Sequence, residues 1–325
     1  MKITTPVEIN PLQRAIKHTD KIALFGSCFA DEIGQMLTNY GFNTLVNPFG
    51  TLYNVCSIYN SITRLALVQK GEQSSLFTKE DIFLRPDNKL ITFSHHSRYG
   101  MRIEEGEAQN IEPLKESYLQ QINNQLRQAS EFLHQADVVI ITLGTSFVYR
   151  VKEHTPKGLR SSNTTRDIEQ ITNSVVSNCH KLPAERFSRE FITASQCAEL
   201  LKEIFELLKG KHIILTVSPI RHLADGAHAN QISKASLLLA VEETIKEQQQ
   251  RAENTANSLY YFPSYEIMMD ELRDYRWYGE DMAHPTPTAV KYIFERFKNS
   301  CIAPTSYPAM DESLKRYKRS AHKIL

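Results

Sequence analysis

The chain has 325 residues, with 38 Lys and Arg against 37 Asp and Glu and a formal net charge of +1. That length suits one large domain or one domain with insertions, and the near balance of charge excludes a global field favouring nucleic acid or an anionic membrane. No apolar run reaches the roughly 18 residues a spanning helix needs, and the N-terminal MKITTPVEINPLQ lacks the apolar core segment of a signal peptide.

In chain order, the apolar run 22–25 reads as a short buried strand, stopped at Gly26. Residues 31–40 are helical, with Phe29, Ile33, Met36 and Leu37 at one-turn spacing. Residues 42–46 suit a second strand, and Asn47-Pro48-Phe49-Gly50 a turn. A helix is expected over 52–68. Segments 81–84 and 90–93 flank Arg85-Pro86-Asp87-Asn88-Lys89 as a hairpin. A long amphipathic helix covers 112–135, with Leu114, Tyr118, Ile122, Leu126 and Leu133 on one face. The β-branched run DVVIITL, 137–143, reads as a central parallel strand covered on both faces.

Residues 147–189 look irregular and polar, an insertion. Helix returns over 192–209, and HIILTV, 212–217, is another buried strand before Ser218-Pro219. A helix over 231–247 carries Ile232, Leu238, Leu239, Val241 and Ile245 as its apolar positions. A short strand at 259–262 and a helix at 288–297 close the pattern. The expected organisation is one domain over 1–300, with insertions near 70–111 and 147–190, and a basic tail over 301–325. The tail holds Lys315, Arg316, Lys318, Arg319 and Lys323, read as a solvated surface. Five cysteines, at 28, 56, 179, 197 and 301, have no CxxC spacing, so reduced thiols in a cytoplasmic protein are expected.

Strands alternating with helices imply a parallel sheet with helices on both faces. Ligands of such folds sit beyond the carboxyl ends of the strands. Gly26-Ser27-Cys28, Asn47-Pro48-Phe49-Gly50, Gly144-Thr145-Ser146 and Ser218-Pro219 each follow a strand, and Asp281 and His284 lie further on. The topology brings these distant segments to one edge.

Ser27 at a strand-to-helix corner has two readings. It can cap the helix, although a capping box would want Glu or Gln at the position of Ala30. It can also be a displayed hydroxyl beside the unpaired N–H groups of a helix start, and then it needs a base. Asp281-Met282-Ala283-His284 offers one: the carboxylate can reach one ring nitrogen and leave the other facing outward. The alternative is a loop leading into a helix, with Asp281 bonded to backbone.

Gly26-Ser27-Cys28-Phe29-Ala30 spells the motif of the GSCFA-domain family, a branch of the SGNH (GDSL-like) hydrolases. The resemblance continues at Asn47-Pro48-Phe49-Gly50, Leu143-Gly144-Thr145-Ser146, Asn178-Cys179-His180-Lys181-Leu182-Pro183, Val217-Ser218-Pro219 and Asp281-Met282-Ala283-His284-Pro285. It spans nearly the whole chain. It implies a three-layer α/β/α flavodoxin-like fold, with Ser27 as nucleophile, His284 as base and Asp281 as its orienter. It implies an oxyanion hole from the Ser27 and Gly50 N–H groups and a third donor. There Ser146 stands in place of the asparagine of SGNH enzymes, and Asn178 or His180 could substitute from the insertion. Losing one such donor costs about 10²–10³ in rate.

The resulting expectation is an ester hydrolase without metal or organic cofactor, acting on an acyl ester such as an acylated carbohydrate. Thr145, His96, Asn178, His180 and His222 are its expected substrate contacts. Acyl transfer through the same acyl-enzyme, and a non-catalytic carbohydrate-binding module, are the alternatives. Cys28 could replace Ser27 as nucleophile, or be a small buried residue. His222, Asp225 and His228 match no familiar zinc spacing. No Gly-x-Gly-x-x-Gly follows a strand, and no Walker sequence is present.

Overall fold

The computed structural model describes residues 4–104, 106, 110–152, 166–251 and 258–321. In chain order its elements begin with β1 (Lys21–Gly26), α1 (Cys28–Asn39), β2 (Asn43–Val46) and α2 (Val55–Gln69). Next come β3 (Phe83–Arg85), β4 (Lys89–Ile91), β5 (Met101–Arg102), α3 (Ile111–Gln135) and β6 (Val138–Leu143). Then follow β7 (Phe147–Val151), α4 (Arg166–Thr172), β8 (Val175–Val176), β9 (Phe187–Phe191), α5 (Ala194–Leu207) and β10 (His212–Val217). The chain closes with α6 (Ala227–Arg251), β11 (Ser258–Tyr261), the short α7 (Ser264–Glu266), α8 (Pro287–Cys301) and α9 (Tyr307–Ala321).

Five strands form one parallel sheet in the order β11-β10-β6-β1-β2. All six residues of central β6 are buried, as its almost continuous apolar run implies. The two-residue period of a strand divides β1 and β6 between two cores. Ala23, Phe25, Val139 and Ile141 join the core under α2, α3, α5 and α6. Ile22, Leu24, Val138 and Ile140 join the core under α1 and α8. The result is a three-layer α/β/α fold. Each fully buried Leu, Ile or Phe contributes about 1.5–3 kcal/mol to it. Among the described residues, no helix is long and apolar enough to cross a membrane.

Both insertions are more ordered than composition suggests. The hairpin pairs Phe83 with Ile91 and Leu84 with Leu90, and β5 adds a third strand. The segment expected to be irregular carries a second antiparallel sheet, ordered β8-β7-β9. Its central strand pairs Val148 with Glu190 and Val151 with Phe187, partners some 40 residues away. Short-range patterning does not reveal such distant pairing. The insertions meet where Phe93, Cys179 and Leu182 pack against Val151, Val176 and Phe187. Ser177 N also donates to Phe93 O at 2.8 Å.

Two further expectations need correction. On α6, Ile232 and Leu239 are exposed, by 44% and 63%, whereas Lys234, Leu237, Ala240 and Val241 are buried. The buried stripe is therefore turned relative to the apolar pattern, and a lysine lies in it. At the chain's end, Cys301, Ile302 and Met310 belong to the core, and Ile302 pairs in parallel with Ile16. Lys323 lies outside the described residues.

Candidate active site

At the end of β1 the backbone leaves no room for a side chain. Gly26 has φ +140°, and a Cβ there would lie 2.1 Å from Thr142 O. Ser27 follows as the N-cap of α1, its Oγ accepting from Phe29 N at 3.3 Å. It is 1% exposed. The corner is braced by Asn47, whose Oδ1 accepts from Gly26 N at 2.8 Å and whose Nδ2 donates to Asp31 Oδ1 at 2.6 Å. Asn47 adopts φ +42°, which Asn tolerates better than most residues. Gly50 N donates to Asn47 O at 2.7 Å. The amide expected at an oxyanion is thus engaged within its own turn. His96 and Tyr99 back onto Gly50, where a Cβ would lie 2.5 Å from that of His96.

At the exit of β6, Gly144 N and Thr145 N both donate to Tyr53 O, at 2.9 and 2.8 Å. Ser146 N donates to Ser233 Oγ at 2.8 Å, and Thr145 Oγ1 lies 3.0 Å from the same oxygen. Ser146 Oγ is buried without a partner among the described residues. The Tyr53 side chain gathers three other groups. Its hydroxyl lies 3.6 Å from Cys28 Sγ, its ring meets His222 edge-on at 5.8 Å, and it stands 6.5 Å from the His96 ring. His222 Nε2 is buried and has no hydrogen-bond partner among the described residues. Burial, then the charges of Lys234 and His284, push His222 down to about 4.

Asp281 and His284 form the expected pair. Asp281 Oδ2 lies 2.5 Å from His284 Nδ1, while Oδ1 accepts from Ala283 N and His284 N, both at 2.9 Å. The His284 amide bond first, then that of Ala283 and the bond to the imidazole, hold the Asp281 carboxyl down at about 2. An ionised carboxylate on Nδ1 selects the tautomer that keeps Nε2 as the basic nitrogen. The loop is docked to the exit of β10: Arg221 N donates to Ala283 O at 3.0 Å and Arg221 Nη1 to Met282 O at 3.1 Å. Gly279 N closes it on His284 O at 2.8 Å. Thr286 then caps α8, with Pro287 at its first position.

Ser27 and His284 therefore both stand beyond the carboxyl edge of the sheet, and no hydrogen bond joins their side chains. His96 and His222 flank Tyr53 beside the corner. Asn178 and His180 lie in the seam between the insertions. Asn178 Oδ1 accepts from His180 N at 2.7 Å, and His180 Nε2 lies 3.0 Å from Thr92 O. His95 is buried nearby, its Nδ1 2.8 Å from Thr92 Oγ1. Tyr53 and Lys234 are absent from the expected site, and Asn47 enters it only as part of its turn. An Asn-Pro turn after a strand was the available signal for Asn47; nothing in the local pattern marks Tyr53 or Lys234. Among the described residues, no group of three or more His, Cys, Asp or Glu could hold a metal ion.

This seam should be acid-sensitive. Burial, the leading cause for both, pushes His95 down to about 3 and His180 to about 4. Below about pH 6.5 the unfolded chain takes protons that the folded seam refuses. Stability present at neutral pH is then lost as pH falls, by on the order of 2 kcal/mol per histidine at pH 5. Thermal melting followed from pH 7 to 5 should show a falling Tm, and His180→Gln should flatten that fall.

The model of the GSCFA family matches residues 21–297. No curated protein and no solved structure matches the chain.

Proposed function

The chain belongs to the GSCFA family, and on that premise we propose that it is a serine ester hydrolase of SGNH type, acting on an acyl ester such as an acylated carbohydrate. The observation carrying this reading is the Asp281–His284 pair, 2.5 Å apart on a loop tied to the sheet edge that also bears Ser27. His284 Nε2 would take the Ser27 proton as Oγ attacks the acyl carbonyl. Ser27 N, Phe29 N and Ala30 N already donate to Thr142 O, Ser27 Oγ and Ser27 O, so the expected Ser27 amide is engaged and the Cys28 amide of the first turn of α1 would face the developing oxyanion. The imidazolium, steadied by Asp281, would then protonate the leaving alcohol, and water activated by the same imidazole would release the acid. Transfer of the acyl group to a sugar hydroxyl would use the same acyl-enzyme.

One observation favours a second reading, a non-catalytic carbohydrate-binding module: Ser27 is 1% exposed and its hydroxyl caps α1. Short-chain p-nitrophenyl esters and a fluorophosphonate probe separate the two. The hydrolase should turn over the esters and take the label, and Ser27→Ala should lose both. Label that survives Ser27→Ala but vanishes in Cys28→Ala would move the nucleophile to the thiol. Absence of turnover and label in the native chain would favour the binding module.

A further inference from the structure

We propose that Lys234 is a positioning residue for the ester-cleaving site, holding the exits of β6 and β10 at a fixed separation; this rests on the hydrolase reading. Lys234 lies on α6, 1% exposed. Its Nζ donates to Gly144 O at 2.7 Å and to Ser218 O at 2.8 Å. These carbonyls belong to the residues that directly follow β6 and β10. Among the described residues, no other side chain bonds both exits.

Each exit leads to one half of the site. From Gly144 the contacts run through Tyr53 O to the Tyr53 hydroxyl and Cys28, beside Ser27. From Ser218 the chain reaches Arg221 three residues later, and Arg221 carries the His284 loop through Ala283 O and Met282 O. Lys234 stands where these two series meet. The lever matters because a displacement of about 1 Å at a reacting pair can cost about 100-fold in rate.

Space-filling does not account for a lysine here. The position lies one turn before buried Leu237, where a leucine or methionine would avoid the desolvation of an ammonium. No salt bridge to Lys234 occurs among the described residues, and burial alone pushes its pKa down to about 7. A neutral amine still has two N–H groups, one for each carbonyl. The required property is therefore a pair of donors at this depth, with or without charge. Lys234→Met keeps the stem to within one atom and removes the donors, whereas Lys234→Gln, also one atom shorter, keeps two amide donors without charge.

The test combines p-nitrophenyl ester kinetics with hydrogen exchange read by mass spectrometry over residues 144–149 and 281–286. Lys234→Met should lower kcat about 100-fold, with KM held within about threefold. It should also speed exchange in both segments together, by about tenfold. Lys234→Gln should restore most of the rate and protect both segments. Faster exchange at one exit only, unchanged kcat in folded Lys234→Met, or a glutamine variant no better than the methionine one overturns the proposal. If the native chain cleaves no ester, the hydrolase reading fails, and exchange in the two segments still decides the coupling. If Lys234→Met does not fold, Lys234→Gln decides: near-native exchange and turnover support the proposal, and loss of either in a folded protein overturns it.

Discussion

Replacing His284 with Gln is expected to lower kcat for a p-nitrophenyl ester by on the order of 10⁶-fold, because a serine hydroxyl without its base is a poor nucleophile. Asp281→Asn should cost about 10⁴-fold. The difference follows from geometry. Asp281 touches the imidazole through Oδ2 and the loop backbone through Oδ1. An amide in its place can present its NH₂ group to Nδ1 and select the wrong tautomer, while the ring stays in place. Steady-state kinetics of the two variants, with circular dichroism to confirm folding, is the measurement. Because the Asp281 carboxyl is held at about 2, its ionisation contributes no limb to the pH–rate profile above about pH 3. The linkage runs the same way: the carboxylate's support of the loop is present above the ordinary aspartate range and is lost as pH falls through about 2. Equal losses for Asp281→Asn and His284→Gln would contradict the orienting role.

The second large effect concerns the corner itself. Gly26→Ala should destabilise the fold by about 4 kcal/mol or more, a size reserved for steric or backbone conflicts. Two causes add. The residue sits at φ +140°, and its new methyl would lie 2.1 Å from Thr142 O in the central strand. That oxygen is backbone, already accepts from Ser27 N, and cannot swing aside. Gly71→Ala provides the control. Its φ is +80° but nothing lies within 4 Å of the added carbon, so only left-handed strain of about 1–2 kcal/mol remains. Urea unfolding of both variants distinguishes them; similar midpoints would show that the corner can relax.

The same contrast between local and distant causes decides what could be read from residue order. Strand β10 matched its apolar run, and β6 came within one residue, because burial on both faces leaves an unmistakable signature. The Asp281–His284 contact was legible because three residues of loop suffice to close it. By contrast, β7 depends on β9, some 40 residues on, and its alternating polar positions resemble ordinary surface. His180 looks like a ligand-facing imidazole in sequence, yet its position is set by Thr92, 88 residues away. Lys234 reads in residue order as an ordinary polar position of its helix, and the reason for its burial lies in two carbonyls from other elements. Tyr53 likewise earns its place through Cys28 and His222, which only the folded sheet edge brings beside it.

The pairing of Ile16 with Ile302 has a mechanical consequence. Leu12 N donates to Ser300 O, Ile16 N to Cys301 O, and Ala303 N to Ile16 O, at 2.7–2.8 Å. The two segments run parallel, so tension on the chain's opposite ends slides one past the other. Such a load is shared by all three bonds at once, where an antiparallel seam loaded from its open end would peel bond by bond. The segment before β1 and the end of α8 thus form a shear-resistant lock, away from the edge that carries Ser27 and His284.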